Sequence, residues 1–277
     1  MGERKLIFLD IDGTLTEPGH NVPPESAVEA IKEARRRGHL VFLCTGRNLG
    51  MLSPVLEGGI YDGVVGSSGG YIQVGDKVIY NHPMTDEERA KIMDAFSGEG
   101  IYRTLECQKD SFTDESLKEY LEEHSGEGEN SELLRWRRQL ESSLNIRPMS
   151  EYDSEPAYKM VLMAQDKERL LTAAQPVLDK FNLVLQGSTY GITNAELLSR
   201  AFDKGTAVSY VAEHYGIPLE DTVGYGDSMN DLEMMQTCGL AICMGNGDEK
   251  LKAESDEICG SVTEDGLANS FKKHGWC

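Results

Sequence analysis

Short apolar runs that end in acidic or glycine residues recur along the chain, each followed by apolar positions at helical spacing. Leu6 to Asp10 is the first such run. Ala27, Val28, Ile31 and Ala34 then repeat at a helical period until Gly38 supplies a stop. The run Leu40 to Cys44 leads into Thr45-Gly46-Arg47, and a third apolar stretch around Val64 and Val65 passes into Ser67-Ser68-Gly69-Gly70. Strand followed by helix, repeated, predicts parallel βαβ units, because parallel strands need a crossover connection. The pattern returns later in the chain. Ala207, Val208, Val211 and Tyr215 make a helical face closed by Gly216 and Pro218, and a strand over Thr222 to Tyr225 follows. A helix over Met229 to Thr237, a strand over Leu240 to Met244 and a helix near Leu267 to Lys273 complete it.

Between these segments the texture changes. A polar helix over Thr85 to Phe96 precedes short strands containing Tyr102 and Phe112, two charged helical stretches, a strand over Lys159 to Met163 and a helix reaching Phe181. Ser125 to Asn130 is acidic and glycine-bearing and reads as a mobile loop. The fold predicted is α/β, with a Rossmann-like parallel sheet core over 1–82 and 189–277 and an inserted α+β domain over 83–188. A length of 277 residues, above the usual size of one compact domain, agrees with two.

Composition narrows the function. No apolar run approaches the roughly 20 residues that span a bilayer. Asp10 and Asp12 fall where a signal peptide would still be apolar, so an intracellular, unprocessed chain is expected. Forty-seven acidic against 27 basic residues leave a formal charge of -20, which repels nucleic acid and anionic membrane. Arg35-Arg36-Arg37 is the one basic patch and reads as the solvated end of a helix, where cations suit the macrodipole. The six cysteines form no Cys-x-x-Cys pair, which fits a reducing cytoplasm.

Four features carry chemistry. Asp10-Ile11-Asp12-Gly13-Thr14 stands where a strand gives way to a loop, the edge at which open parallel sheets bind ligands. Two carboxylates so close call for a cation or a shared proton. Gly226-Asp227-Ser228-Met229-Asn230-Asp231 adds two more at the end of another strand, and such hard oxygen ligands suit Mg²⁺. Taken alone, Asp227 or Ser228 would read as a helix cap. Thr45-Gly46-Arg47 offers a hydroxyl and backbone N–H groups at a helix start, an anion cradle. Lys204 opens a helix, where its charge is unfavourable unless a phosphate or the aspartates compensate; otherwise it is a surface lysine.

These four motifs, in this order, resemble the haloacid dehalogenase superfamily of phosphatases, specifically its Cof-like branch with a type C2B cap. The resemblance covers roughly residues 4 to 82 and 189 to 275, and the cap matches in length and insertion point only. It implies that Asp10 attacks phosphorus and that Asp12 protonates the leaving oxygen and then deprotonates water. Thr45 and Lys204 would hold phosphoryl oxygens. Mg²⁺ would be bound by Asp10, the Asp12 carbonyl and Asp227, with Asp231 and Asn230 in support. Asn246 after Gly245 resembles the family's Gly-Asn-Ala loop, with Gly247 in place of alanine, and Ser68-Gly69 stands where the family commonly has Asn-Gly. Gly46, Arg47, Ser68, Asn230 and Asn246 are thus expected to contact substrate. Tyr158 and Lys159 are cap candidates, although Tyr158 suits packing better than a ligand contact. The expected activity is Mg-dependent hydrolysis of a small phosphorylated metabolite, with sugar phosphates, nucleotides and vitamin phosphates open. The alternatives are a phosphomutase of the phosphomannomutase type, which begins with a similar Asp-x-Asp-Gly-Thr-Leu-Thr run, and a non-catalytic phospholigand-binding protein.

Overall fold

The computed structural model describes residues 4–18, 20–117, 145–189 and 192–277. The loop Ser125 to Asn130 and the charged stretches expected within 118–144 lie outside the described residues. In chain order the strands are β1 (Leu6–Leu9), β2 (Leu40–Cys44), β3 (Gly63–Gly66), β4 (Tyr71–Val74), β5 (Lys77–Asn81), β6 (Ile101–Cys107) and β7 (Ser111–Thr113). They continue as β8 (Ile146–Pro148), β9 (Ala157–Ala164), β10 (Phe181–Thr189), β11 (Ile192–Ser199), β12 (Thr222–Gly226), β13 (Leu240–Cys243) and β14 (Glu257–Ile258). The longer helices are α1 (Glu25–Arg36), α2 (Asp86–Ala95), α3 (Lys167–Ala174), α4 (Lys204–Tyr215), α5 (Leu232–Thr237) and α6 (Gly266–Lys273).

The described residues form two compact units, one of Met1–Arg47, Leu52–Asn81 and Phe202–Cys277, the other of Asn48–Met51 and His82–Ala201. The first carries a sheet ordered β14-β13-β12-β1-β2-β3-β4-β5, parallel from β14 to β3 and antiparallel at β4 and β5. β1, β2 and β3 are buried along their whole length, which is why each reads as a continuous apolar run without alternation. From β1 the chain builds outward through β2 and β3 on one side and through β12 to β14 on the other. The strand order therefore reverses between β1 and β12, the crevice at which such sheets place their ligands. α4 packs Ala207, Val208, Val211 and Ala212 into the core with Leu6, Phe8 and Phe42. Asp203 caps α4 through a reciprocal pair with Thr206, and Gly216 ends it in the left-handed conformation that a side chain resists. Burying this face of α4 fixes its first residue, Lys204.

The second unit carries a sheet ordered β10-β11-β9-β6-β7-β8. β9 at its centre is buried throughout and sends Met160, Leu162 and Ala164 into a core with Ile92 and Phe96 near α2 and with Leu170 and Ala174 of α3. α3 stops at Ala174 before Pro176, and Phe181 begins β10 instead of ending the helix expected there. Residues 192–199, placed with the core by the sequence pattern, pair as β11 with β9 and β10. Among the described residues no helix is long and apolar enough to cross a membrane.

Candidate active site

The ladder between β1 and β12 closes with the Asp10 amide donating to the Tyr225 carbonyl at 3.0 Å, so Asp10 stands on the last rung beside β12. The chain then turns tightly: the amides of Thr14, Leu15 and Thr16 all donate to the Ile11 carbonyl. Gly13 at φ +89° makes that turn, and a Cβ on it would collide with the Asp227 carboxylate. Across the crevice, Asp231 Oδ2 accepts from the amides of Asp227 and Ser228, at 3.1 and 3.2 Å, which shapes the loop after β12. A Cβ on Gly226 would likewise meet Asp231. Both glycines leave room for carboxylates.

Lys204 is 2% exposed. Its Nζ donates to Asp10 Oδ1 at 2.7 Å and to Asp231 Oδ1 at 2.5 Å. The charge that is awkward at a helix start is thus compensated by the aspartates. Carboxylate oxygens of Asp10, Asp227 and Asp231 lie within 4.8 Å of one another, and Thr14 Oγ1 donates to Asp227 at 3.3 Å. Burial, reinforced by Asp231 and only partly opposed by Lys204, pushes the Asp10 carboxyl up to about 7. Burial with Asp10 and Asp231 pushes Asp227 up to about 8. Burial alone would lower the Lys204 ammonium, but Asp10 and Asp231 outweigh it and hold it well above the ordinary lysine range. Three carboxylates beside one ammonium, with oxygens within 4.8 Å of one another, form an all-oxygen donor set that fits a hard divalent cation.

Groups at about 7 and about 8 in the folded chain, against 3.8 ordinarily, bind protons that the unfolded chain releases. Their contribution to stability is present below 3.8 and lost as pH rises to about 8. A divalent cation replaces those protons, so Mg²⁺ is expected to raise the melting temperature more at about pH 8.5 than at about pH 5.5. Thermal melts with and without Mg²⁺ at both pH values check this, and an equal gain at both contradicts it.

The second arm of the site follows β2. Arg47 is 7% exposed, and its Nε and Nη2 grip Asp12 Oδ2 and Oδ1 at 2.8 and 2.7 Å. Nη1 donates to Asn21 Oδ1 at 2.6 Å, and Nη2 also reaches the His20 carbonyl at 3.3 Å. Thr45 is buried and accepts from the Arg47 amide, and the Ser68 amide donates to the Thr45 carbonyl at 3.0 Å. Gly46 lies between Thr45 and Arg47, half-buried. Ser67 and Ser68 hold φ of +51° and +56°, a left-handed pair held by their amides donating to the Arg47 and Thr45 carbonyls at 2.9 and 3.0 Å.

The sequence-predicted residues are thus distributed unevenly. Asp10, Asp227, Asp231 and Lys204 form one cluster, and Asp12 faces Arg47. Asn246 uses both ends of its amide, Nδ2 on the Gly13 carbonyl at 2.8 Å and Oδ1 on the Val262 amide at 2.9 Å, so it clips the Gly13 turn in place. Asn230 is exposed and accepts from Ser228 Oγ at 3.0 Å. In the other unit Tyr158 is fully buried, and Lys159 pairs with Glu196 at 2.9 Å and Glu106 at 3.3 Å. Asn21 escaped sequence reasoning. Asn21 precedes Val22-Pro23-Pro24 in an ordinary polar loop, and nothing in its neighbours marks it.

A family model described as haloacid dehalogenase-like hydrolase matches residues 7–271. The putative phosphatase YkrA of Bacillus subtilis is 27% identical over 273 residues, covering 99% of this chain and 98% of its own. The 5-amino-6-(5-phospho-D-ribitylamino)uracil phosphatase YwtE of the same organism is 27% identical over 283 residues, covering 95% and 96%. Among solved structures, the subclass IIB sugar phosphatase BT4131 superposes with a TM-score of 0.75 at 22% identity, over 99% of this chain and 100% of that one, and so shares the fold.

Proposed function

The chain belongs to the haloacid dehalogenase-like hydrolase family and is a phosphatase of it, and from that premise we propose that it hydrolyses a small, polar phosphomonoester through an aspartyl-phosphate on Asp10. The observation that carries this is the cluster of Asp10, Asp227 and Asp231, two of which, Asp10 and Asp231, share one buried lysine, at the point where the strand order reverses. A carboxylate held there by an ammonium is oriented to attack along one line.

In the proposed reaction Asp10 attacks phosphorus, the bond from phosphorus to the ester oxygen breaks, and that oxygen takes a proton from the Asp12 carboxyl. Asp12, now ionised, takes a proton from the water that attacks the aspartyl-phosphate. The bond from phosphorus to Asp10 then breaks, and inorganic phosphate and the alcohol are the products. Thr45 already accepts from the Arg47 amide, so its hydroxyl proton is the part suited to donate to a phosphoryl oxygen. Lys204 adds positive charge on the same side. Gly46 and Ser68 would contribute polar contacts to the bound ester. Asp10, Asp227 and the Asp12 carbonyl would hold Mg²⁺. Asp231 supports them by fixing Lys204 and the loop after β12. The cation would neutralise charge on the phosphoryl oxygens.

The name of YwtE, a phosphorylated ribityl compound, and that of BT4131, sugars, both favour a polyhydroxylated leaving group for this chain. We assign the recognition of that group to the inserted unit, which would act as a cap. The test is a panel of sugar, polyol and vitamin phosphates assayed for inorganic phosphate. Release is expected with Mg²⁺ and is lost on chelation. No release from any ester in Mg²⁺, or isomerised sugar phosphate without free phosphate, contradicts the proposal.

A further inference from the structure

We propose that Asn21 is a positioning residue for the proton-transfer step, acting through Arg47 on Asp12. The inference rests on the acid and base role proposed above for Asp12. A bidentate grip fixes the plane of a carboxylate only if the guanidinium is itself prevented from pivoting. Nε and Nη2 of Arg47 are committed to Asp12, which leaves the outer branch, Nη1, to be anchored by Asn21 Oδ1 at 2.6 Å. The segment carrying Asn21 is in turn tied to the Asp12 turn. Thr16 Oγ1 donates to the His20 carbonyl at 3.1 Å and lies within reach of the Ile11 carbonyl at 3.2 Å, while Arg47 Nη2 also reaches the His20 carbonyl. Asn21, Arg47, Asp12, Thr16 and His20 therefore close a ring of hydrogen bonds and backbone, and Asp12 is the one member to which the proposed reaction gives a proton-transfer role. Asn21 lies only half-buried in a loop, so its removal loosens the ring without opening the core.

This assignment has a signature that a merely structural role lacks. Delivery of a proton to the departing oxygen matters most when that oxygen is a poor leaving group. Comparing kcat/KM for phenyl phosphate and p-nitrophenyl phosphate, two esters of similar shape, isolates that demand. Asn21→Ala is expected to lower kcat/KM about tenfold for phenyl phosphate and less than about threefold for p-nitrophenyl phosphate, a share of the whole general-acid contribution. Arg47→Ala shows the same bias more strongly, and adding Asn21→Ala to it costs nothing further. Asn21→Asp, which keeps an acceptor oxygen for Nη1, recovers most of the phenyl phosphate rate. Equal losses for the two esters, or an Asn21→Ala loss undiminished in the Arg47→Ala background, overturns the proposal. Asp10→Asn assayed on the same esters separates the outcomes: hydrolysis that survives it overturns the underlying mechanism, whatever Asn21 does.

Discussion

Asp10→Asn is expected to lower phosphate release by on the order of 10⁴-fold or more while leaving the metal-free fold at least as stable as the wild type at about pH 8. The two halves of this expectation have one cause. An amide cannot form the bond to phosphorus, so the covalent route closes. The asparagine oxygen can still accept from Lys204, which keeps its second partner in Asp231. The Asp10 carboxyl, raised to about 7 by burial and by Asp231, is ionised at about pH 8 only at the expense of the folded state, and asparagine removes that penalty. Phosphate release and thermal melts on the same preparation check both halves. Turnover within about tenfold of wild type would place the nucleophile elsewhere.

Lys204→Met should act in the opposite sense on stability. Breaking a buried ion pair by removing one partner costs about 3–5 kcal/mol, because the partner charges stay behind. Here Asp10 and Asp231 would be left facing each other in a site where neither is exposed. The loss is expected to be large at about pH 8 and to shrink at about pH 5.5, where the raised Asp10 and Asp227 carboxyls take up protons and leave less negative charge unpaired. Mg²⁺ restores part of the stability by supplying the missing positive charge. It does not restore activity, which falls by about 10²–10³-fold as a preorganised charge is lost. Melts of both proteins at the two pH values distinguish this from a packing defect, which would destabilise equally at each.

How much of this was legible in the chain depended on burial. β1, β2 and β3 are covered on both faces, so Leu6 to Leu9 and Leu40 to Cys44 stand out as unbroken apolar runs, and the candidate motifs sit where those runs stop. The β4 and β5 hairpin did not stand out. Its strands carry half-exposed Gln73, Val74, Ile79 and Tyr80 and pair across a register shift, so neither period dominates. The end of the inserted segment was hidden for a similar reason: β10 is exposed at Asn182 and from Val184 to Gln186, with a bulge between Leu185 and Gly187, and its partner β11 joins it to β9.

Within the site, Asp10, Asp12, Lys204 and Asp227 could be named because their spacing from strand ends and a helix start is local. What could not be named was who holds whom. The resemblance pointed Arg47 and Asn246 toward substrate but carried no sign that Arg47 grips Asp12 or that Asn246 clips Gly13. Those partners lie 35 and 233 positions away, a separation that no local pattern encodes. Asn21 is the same case: its importance comes from a contact with Arg47, 26 positions on, made only once β2 lies beside β1.

The most direct measurement concerns the covalent step. Enzyme quenched during steady-state hydrolysis with Mg²⁺ can be treated with borohydride, which reduces an acyl phosphate to the alcohol, then digested and sequenced by mass spectrometry. Homoserine is expected in place of Asp10 and at no other acidic position, dependent on substrate and absent in Asp10→Asn. Reduction at Asp12, Asp227 or Asp231, or turnover with no reducible carboxyl anywhere in the chain, would contradict it.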